Sequence, residues 1–382
     1  MPHKTHTQTQ CVNASIGQDK VYGAVTPPLY LSSTYKFRGF AEMGKYDYGR
    51  GGNPNRDALA DAITNLEGGA GGVITSSGMT AIDLVLNLVP SGGLVLAPHD
   101  CYGGTFRLLL TRAEQGRFRV EFINLTLDDA PAQIHTKNPD LVFIETPSNP
   151  LMRLSDIAAL SAAAHDVGAL AVCDNTFLSP ARQTPLALGA DIALHSTTKF
   201  INGHSDVVGG AVVAASEEVA ENLAWWANCT GVTGAPFDSF LTLRGLRTLH
   251  ARMDVQEKNA RKIVQYLRGQ SSVKKVHYPE GELAGKQQSG PGAMLSFELN
   301  TRPENLKNFF ADTGFFQFAE SLGGTESLIC HPATMTHRTM SQDDRDGAGI
   351  SNTLVRISAG MEHSDDLNRA LDIMFLNLQK SE

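Results

Sequence analysis

Four short polar clusters in this chain carry side chains that can do chemistry, and each follows an apolar run. They are "TSSGMT" (Thr75–Thr80), "ETPSNP" (Glu145–Pro150), "DNTF" (Asp174–Phe177) and "HSTTKF" (His195–Phe200). Most lysines in turns are solvated surface groups, and Lys199 taken by itself would be one more. Its company argues otherwise. A Ser-Ser-Gly turn before a helix presents the backbone N–H groups of Gly78 and Met79 to an anion such as a phosphate. Ser196 and Thr198 add hydroxyl donors. Asp174, closing a strand, can hold a cationic ring nitrogen in a charge-assisted bond, although an Asp in that position is more often a turn residue or a cap. The Lys199 amine can form a Schiff base.

The elements that must position these groups are legible in the pattern. "GGVITSSG", "GLVLAP", "RVEFINL", "LVFIETP", "ALAVCD" and "DIALHS" are apolar on both faces and bounded by Gly, Pro or Asp, as buried strands are. Between them "MTAIDLVLNLV", "TFRLLLTRAEQG" and "LSDIAALSAAAHDVG" repeat apolar residues at helical spacing. Strands and helices in alternation predict an α/β fold: a mostly parallel sheet with helices on both faces. Ligands of such sheets bind beyond the carboxyl ends of the strands, where all four clusters fall. A phosphate cradle, a ring-nitrogen carboxylate and an imine-forming lysine on one rim together describe a site for pyridoxal 5'-phosphate. Tyr102, in "HDCYGGTFR", is placed to lay its ring over the pyridine face.

The pattern changes after "GGAVVAA". "LTLRGLRTLHARMDVQEKNARKIVQYL", free of proline, predicts one long linking helix. "VKKVHYP", "AMLSFELN" and "LVRISAG" predict strands of a smaller α+β domain, closed by a helix in "HSDDLNRALDIMFLNLQ". The expected division is an N-terminal arm over 1–56, a large domain over 57–245 and a C-terminal domain over 246–382. With little core of its own, the arm is expected to pack on the main domain or on a partner subunit.

With 382 residues, the chain exceeds one small core. A net charge of −8 argues against a nucleic-acid binder, which needs clustered cations. The N-terminal segment lacks the apolar core of a signal peptide, and no run of about 18 apolar residues predicts a membrane span. Five scattered cysteines without a C-x-x-C pair fit reduced thiols and a cytoplasmic protein. His331 and His337, in "HPATMTH", match no common metal spacing, so no metal is expected and a structural role, or one supporting the site residues, is. No G-x-x-x-x-G-K-[ST] or G-x-G-x-x-G follows the first strand, which disfavours a nucleotide enzyme. A non-catalytic binding protein would have no need of Lys199 and Asp174 together.

The chain resembles the pyridoxal-phosphate enzymes of cysteine and methionine metabolism, from "YGAVTPPLYLSSTY" to "LVRISAG". "YDYGRGGNPNRDAL", "LEGGAGGVITSSGMTAI", "ETPSNP", "DNTFLSPARQTPLALGADIALHSTTKFINGHSDVVGG" and "ESLGGTESL" carry the likeness. The resemblance implies fold type I, the aspartate aminotransferase-like architecture. It places Lys199 on the imine lysine, Asp174 on the pyridine-nitrogen partner, Tyr102 on the stacking tyrosine, and Gly78, Met79, Ser196 and Thr198 on the phosphate cup. It further implies that Tyr48 and Arg50 reach the phosphate of a neighbouring subunit, and hence a homo-oligomer, a tetramer built from two active dimers. Arg356 falls on the arginine that clamps the α-carboxylate of an amino-acid substrate, with a fork geometry lysine cannot reproduce. Ser321 falls on a serine that positions the lysine, and Asn149 groups with the substrate residues.

Within the family, "APHDCYGGTFRL", "LAWWANCTGVTGAPFDSFLTLRGLRTL" and "HPATMTH" resemble the bacterial γ-synthases. That likeness implies γ-replacement: an O-acylhomoserine, with the succinyl ester favoured, joins cysteine to give cystathionine. Lys199, helped by Tyr102, would move the protons. Glu326 sits where γ-synthases and γ-lyases carry a glutamate near the second amino acid. Gly104 stands where methionine γ-lyases tend to carry a cysteine. Arg107 is a candidate for the distal carboxylate. One departure is Gly51 after Arg50, where near relatives often read two arginines; it leaves O-acetylhomoserine or γ-elimination of cystathionine open.

Overall fold

The computed structural model describes residues 5–380. Seven strands form the larger sheet: β1 (Gly71–Thr75), β2 (Leu94–Pro98), β3 (Arg119–Ile123), β4 (Leu141–Glu145), β5 (Leu170–Asp174), β6 (Ile192–His195) and β7 (Gly210–Ala214). Their order across the sheet is β1-β7-β6-β5-β4-β2-β3. Only β7 runs against the others, pairing antiparallel with both β1 and β6. The expected strands are all present, and β2, β4 and β7 are buried along their whole length. Helices cover both faces because both faces are apolar. On one side, Val95, Phe143, Val172 and Val212 pack with Ile82, Val85 and Leu109 of helices 78–86 and 103–114. On the other, Leu96, Val142, Ile144 and Cys173 pack with Ile134 and Leu160.

Register brings the chemistry together. Glu145 at the end of β4 pairs with Asp174 at the end of β5, and Asp174 pairs with Leu194 on β6. The chain leaves all three strands at one rim, with the turn after β1 beside them.

The second sheet is built from β8 (Val273–His277), β9 (Met294–Leu299), β10 (Gln317–Phe318), β11 (Leu328–Cys330) and β12 (Leu354–Ser358). Their order across it is β10-β11-β12-β9-β8. Helices Leu249–Arg268 and Ser364–Gln379 bury their apolar stripes against it, around Phe297, Phe309 and Phe375.

The single long helix expected over residues 241–267 is in fact two, Pro236–Leu246 and Leu249–Arg268. The Gly245 carbonyl accepts from the Thr248 N–H (3.1 Å), the Thr248 hydroxyl (3.0 Å) and Arg252 Nη2 (3.0 Å), which draws it out of the α-helical ladder. Gly245 also lies so close to Asn202 that a Cβ would come within 2.0 Å of its carbonyl oxygen. Neither interaction has a periodic signature in the sequence.

Between Asn13 and Asn53 the arm has only isolated bridges, Thr34 with Tyr48 and Gly39 with Glu42. Asn53 then caps helix Pro54–Glu67 by accepting the N–H groups of Asn55 and Arg56. The Arg56 guanidinium holds the carbonyls of Gly49 (2.8 Å) and Arg50 (3.0 Å), which fixes the approach of the arm to the sheet. Along the arm Val21, Tyr22, Leu31 and Phe40 are exposed, Phe40 completely.

Candidate active site

A cavity of about 380 Å³ opens at the shared rim. It is lined from the large sheet by Gly78, Met79, Tyr102, Asp174, Ser196, Thr198 and Lys199, and from the C-terminal half by Ser321 and Arg356, with Asn149 between. Ten of the residues expected at the site, from segments more than 250 residues apart, therefore face one space.

Lys199 is tethered through its Nζ, which donates to Ser321 Oγ at 2.7 Å. Burial, and then the charge of Arg356, push its amine down to about 8, so roughly a tenth is in the neutral, nucleophilic form at pH 7. Ser321 adopts φ +92°, a region unfavourable for a residue with a Cβ. Its carbonyl accepts Arg356 Nη2 at 3.0 Å, so one residue ties the lysine and the arginine into a fixed relation. Arg356, buried on β12, also donates through Nη1 to Asn149 Oδ1 at 2.8 Å. Held at two points, its remaining N–H groups are preorganised for a carboxylate.

The anion cradle forms at helix Gly78–Leu86. Ser77 caps it by accepting the Thr80 N–H (3.1 Å). The first-turn N–H groups of Gly78 and Met79, at the cavity wall, have no carbonyl inside the helix to bond. A Cβ on Gly78 would lie 2.7 Å from Ser196 Cβ, so glycine lets the two walls close together. Thr198 exchanges hydrogen bonds with Gly209 through its hydroxyl (3.1 Å as donor, 3.0 Å as acceptor), which pins the turn after β6. Asp174 accepts the Thr176 N–H (2.9 Å), and Thr176 Oγ1 accepts the Ser196 N–H (2.9 Å). Burial raises the Asp174 carboxyl above its ordinary range. A buried carboxylate facing a cavity in this state is complementary to a cation such as a protonated ring nitrogen. The amine, carboxylate, N–H cradle and partly exposed Tyr102 ring fit the chemical groups of pyridoxal phosphate.

Other expected residues lie outside the cavity of their own chain. Tyr48 and Arg50 are exposed on the arm, the guanidinium lying 5.5 Å from the Tyr48 ring centre and donating to Asn228 Oδ1 (3.1 Å). Arg107 is exposed on helix Gly103–Glu114. Glu326 accepts the Ser205 hydroxyl and so links the C-terminal half to the turn after Lys199. A Cβ on Gly104 would meet the Tyr102 ring at 2.5 Å and Met79 Sδ at 3.0 Å, so glycine there keeps the ring in its place.

Sequence reading gave no role to Glu145 or His195, while His337 takes the structural, supporting place expected of it. Glu145 lines the cavity and accepts the N–H groups of both Tyr102 (3.0 Å) and Asn149 (2.8 Å). Burial, then the neighbouring Asp174, raise its carboxyl well above the usual range. His337, fully buried, bonds the Asn149 carbonyl through Nε2 (2.9 Å) and Thr336 Oγ1 through Nδ1 (2.9 Å), and its ring meets Tyr102 edge-on. Burial and Arg356 push it down to about 3, so it stays neutral, with Nε2–H donating to the carbonyl. His195 pairs with Glu67 at 2.7 Å, both wholly buried. In the sequence Glu145 and His195 open polar clusters at strand ends, and His337 closes the "HPATMTH" stretch.

The profile of the Cys/Met metabolism PLP-dependent enzymes matches residues 8–375, and the chain belongs to that family. It is therefore a pyridoxal-phosphate enzyme of the α/β fold type I class. Among curated relatives, cystathionine gamma-synthase of Escherichia coli K12 is 52% identical over 94% of this chain and 95% of its own length. Cystathionine gamma-lyase of Bacillus subtilis 168 is 40% identical over 94% and 96%. Among solved structures, cystathionine gamma synthase from Xanthomonas oryzae pv. oryzae, in complex with aminoacrylate and cysteine, superposes with a TM-score of 0.98 at 50% identity, covering all of both chains. Among the described residues no helix is long and apolar enough to cross a membrane.

Proposed function

We propose that the chain catalyses γ-replacement, joining O-succinylhomoserine and L-cysteine to give L-cystathionine and succinate. The observation that carries this reading is the fixed set Lys199–Ser321–Arg356–Asn149 facing Asp174 across one cavity, in a chain 52% identical to a cystathionine gamma-synthase. Lys199 would hold the cofactor covalently, Asp174 its ring nitrogen, and Tyr102 its ring face. Gly78, Met79, Ser196 and Thr198, with Tyr48 and Arg50 of a neighbouring subunit, would hold its phosphate. Bound there, the cofactor supplies an electron sink for charge developing at Cα and Cβ of an amino acid.

The chain's own groups do the rest. Arg356, oriented by Asn149 and Ser321, grips the α-carboxylate and so presents Cα to Lys199. The Lys199 amine takes the Cα proton and returns protons along the carbon chain, with Tyr102 beside it. The Cγ–O bond breaks and succinate leaves. The cysteine sulfur then forms the Cγ–S bond, losing its thiol proton. Glu326 and Arg107 are assigned to the second amino acid and the distal carboxylate. We also assign residues 1–56 to an arm, 57–245 to a cofactor domain and 246–382 to a C-terminal domain, in a cytoplasmic homotetramer of two active dimers. The exposed Val21, Tyr22, Leu31 and Phe40 support an arm that packs on a partner.

Gly51 after Arg50 favours a second reading, use of the acetyl ester or γ-elimination of cystathionine to cysteine, 2-oxobutanoate and ammonia. The test is a product assay on the yellow protein with O-succinylhomoserine and cysteine, and separately with cystathionine, with Lys199→Ala as the blank. Cystathionine from the first mixture is the expected result. Oxo acid from the second without net synthesis overturns it.

A further inference from the structure

We infer that Glu145 is a positioning residue for the substrate carboxylate: its two oxygens lock the backbones of Tyr102 and Asn149, and through Asn149 they aim Arg356. The inference rests on the amino-acid site proposed above and adds a residue to it.

Glu145 ends β4 and is almost fully buried, yet it lines the cavity. A lone carboxylate in that position is costly unless both oxygens are satisfied. Here Oε2 accepts the Tyr102 N–H at 3.0 Å and Oε1 accepts the Asn149 N–H at 2.8 Å. Both donors matter to the site. Tyr102 is the residue from which helix Gly103–Glu114 starts, and it has no side-chain cap, so the Glu145 bond fixes where its ring sits. Asn149 lies between Pro147 and Pro150, which have no N–H of their own to anchor the loop. Its N–H is held by Glu145, its carbonyl by His337 (2.9 Å), and its side-chain oxygen takes Arg356 Nη1 (2.8 Å). Glu145 therefore connects the ring-stacking wall to the carboxylate clamp by a hydrogen bond to each, whereas His337 bonds Asn149 but meets Tyr102 only by an edge-on ring contact. Two separated N–H donors need two acceptors. Gln supplies one oxygen and turns an NH2 group against the other donor; Asp, one methylene shorter, cannot span both.

The experiment uses the holoenzyme and two probes read by the change in cofactor absorbance. L-norvaline has the amine and carboxylate but no leaving group, and n-butylamine is the same molecule without the carboxylate. Glu145→Gln should weaken L-norvaline roughly ten- to a hundredfold, as expected for one buried donor left unpaired, and leave n-butylamine within about twofold. Asn149→Ala should give a similar loss, and the double variant little more, because both act through one clamp. KM for the amino-acid substrate should rise more than kcat falls. Unchanged L-norvaline affinity, equal weakening of both probes, or additive losses would each overturn the inference. If Glu145→Gln does not fold by circular dichroism, Glu145→Asp carries the same test, and failure of both to fold also overturns it, since the residue would then build the fold. A wild-type chain that binds L-norvaline but makes no cystathionine defeats the reaction proposed above and leaves the role of Glu145 standing.

Discussion

The depressed Lys199 amine can be tested without turnover, by the pH dependence of cofactor capture. An amine attacks an aldehyde only when neutral, so the rate at which the cofactor-free protein takes up pyridoxal phosphate should follow the neutral fraction of Lys199. With the amine at about 8 instead of the ordinary 10.5, roughly a quarter is neutral near pH 7.5, against roughly 0.1% for an exposed lysine. Burial is the largest cause and the Arg356 charge the next. A neighbouring cation disfavours the ammonium form, so its removal must raise the midpoint. Arg356→Gln deletes the charge and should move the capture midpoint upward, still short of 10.5 because burial remains. Arg356→Lys keeps a charge and should move it much less. Stopped-flow absorbance from about pH 6 to 10 reads both. The two variants should nevertheless share a catalytic defect. Arg356 already spends donors on Asn149 Oδ1 and the Ser321 carbonyl, and an ammonium cannot hold both and grip a carboxylate in a planar fork. Losing about two charge-assisted bonds, at about 1.5–3 kcal/mol each, predicts a fall in kcat/KM of roughly 10² to 10⁴. An unmoved midpoint in Arg356→Gln, or equal movement in both variants, would refute the electrostatic argument.

Two further outcomes are expected. Gly323 has φ +80°, and a Cβ there would lie 2.6 Å from the Phe200 N and 2.9 Å from the Lys199 carbonyl carbon, backbone atoms with little room to yield. Gly323→Ala should cost about 2–4 kcal/mol of stability and loosen cofactor retention; an unchanged melting curve with full retention would contradict this. If Tyr48 and Arg50 serve a neighbour's site, mixing inactive Lys199→Ala and Arg50→Ala subunits after reversible dissociation should restore roughly a quarter of the sites. No recovery despite verified subunit exchange would place those residues in their own chain's site or outside any site.

Much of the large sheet was legible because its signal is local. Runs such as "LVFIE" and "LAVCD" are apolar on both faces, and only burial between two helical layers satisfies them; the polar residues that close them then fall at the strand ends, where open sheets bind ligands. Lys199, Asp174 and the Gly78 turn could be found in that way. Family likeness, not periodicity, was needed for Arg356 and Ser321, because a lone arginine on a strand or a serine in a loop reads like any other.

What the chain's letters determined by themselves is the set of elements and the inventory of reactive groups at their ends. Tertiary structure decided how those groups are held. Glu145 became a bridge only when β4 set it beside both Tyr102 and Asn149, and His337 acquired a purpose only when the C-terminal half folded over the same loop. The helix break at Arg247–Thr248 likewise followed from bonds to the Gly245 carbonyl and from the contact with Asn202. Periodicity reports which face of an element is buried, whereas hydrogen bonds such as that between Arg356 and Asn149, 207 positions apart, depend on where whole elements come to rest.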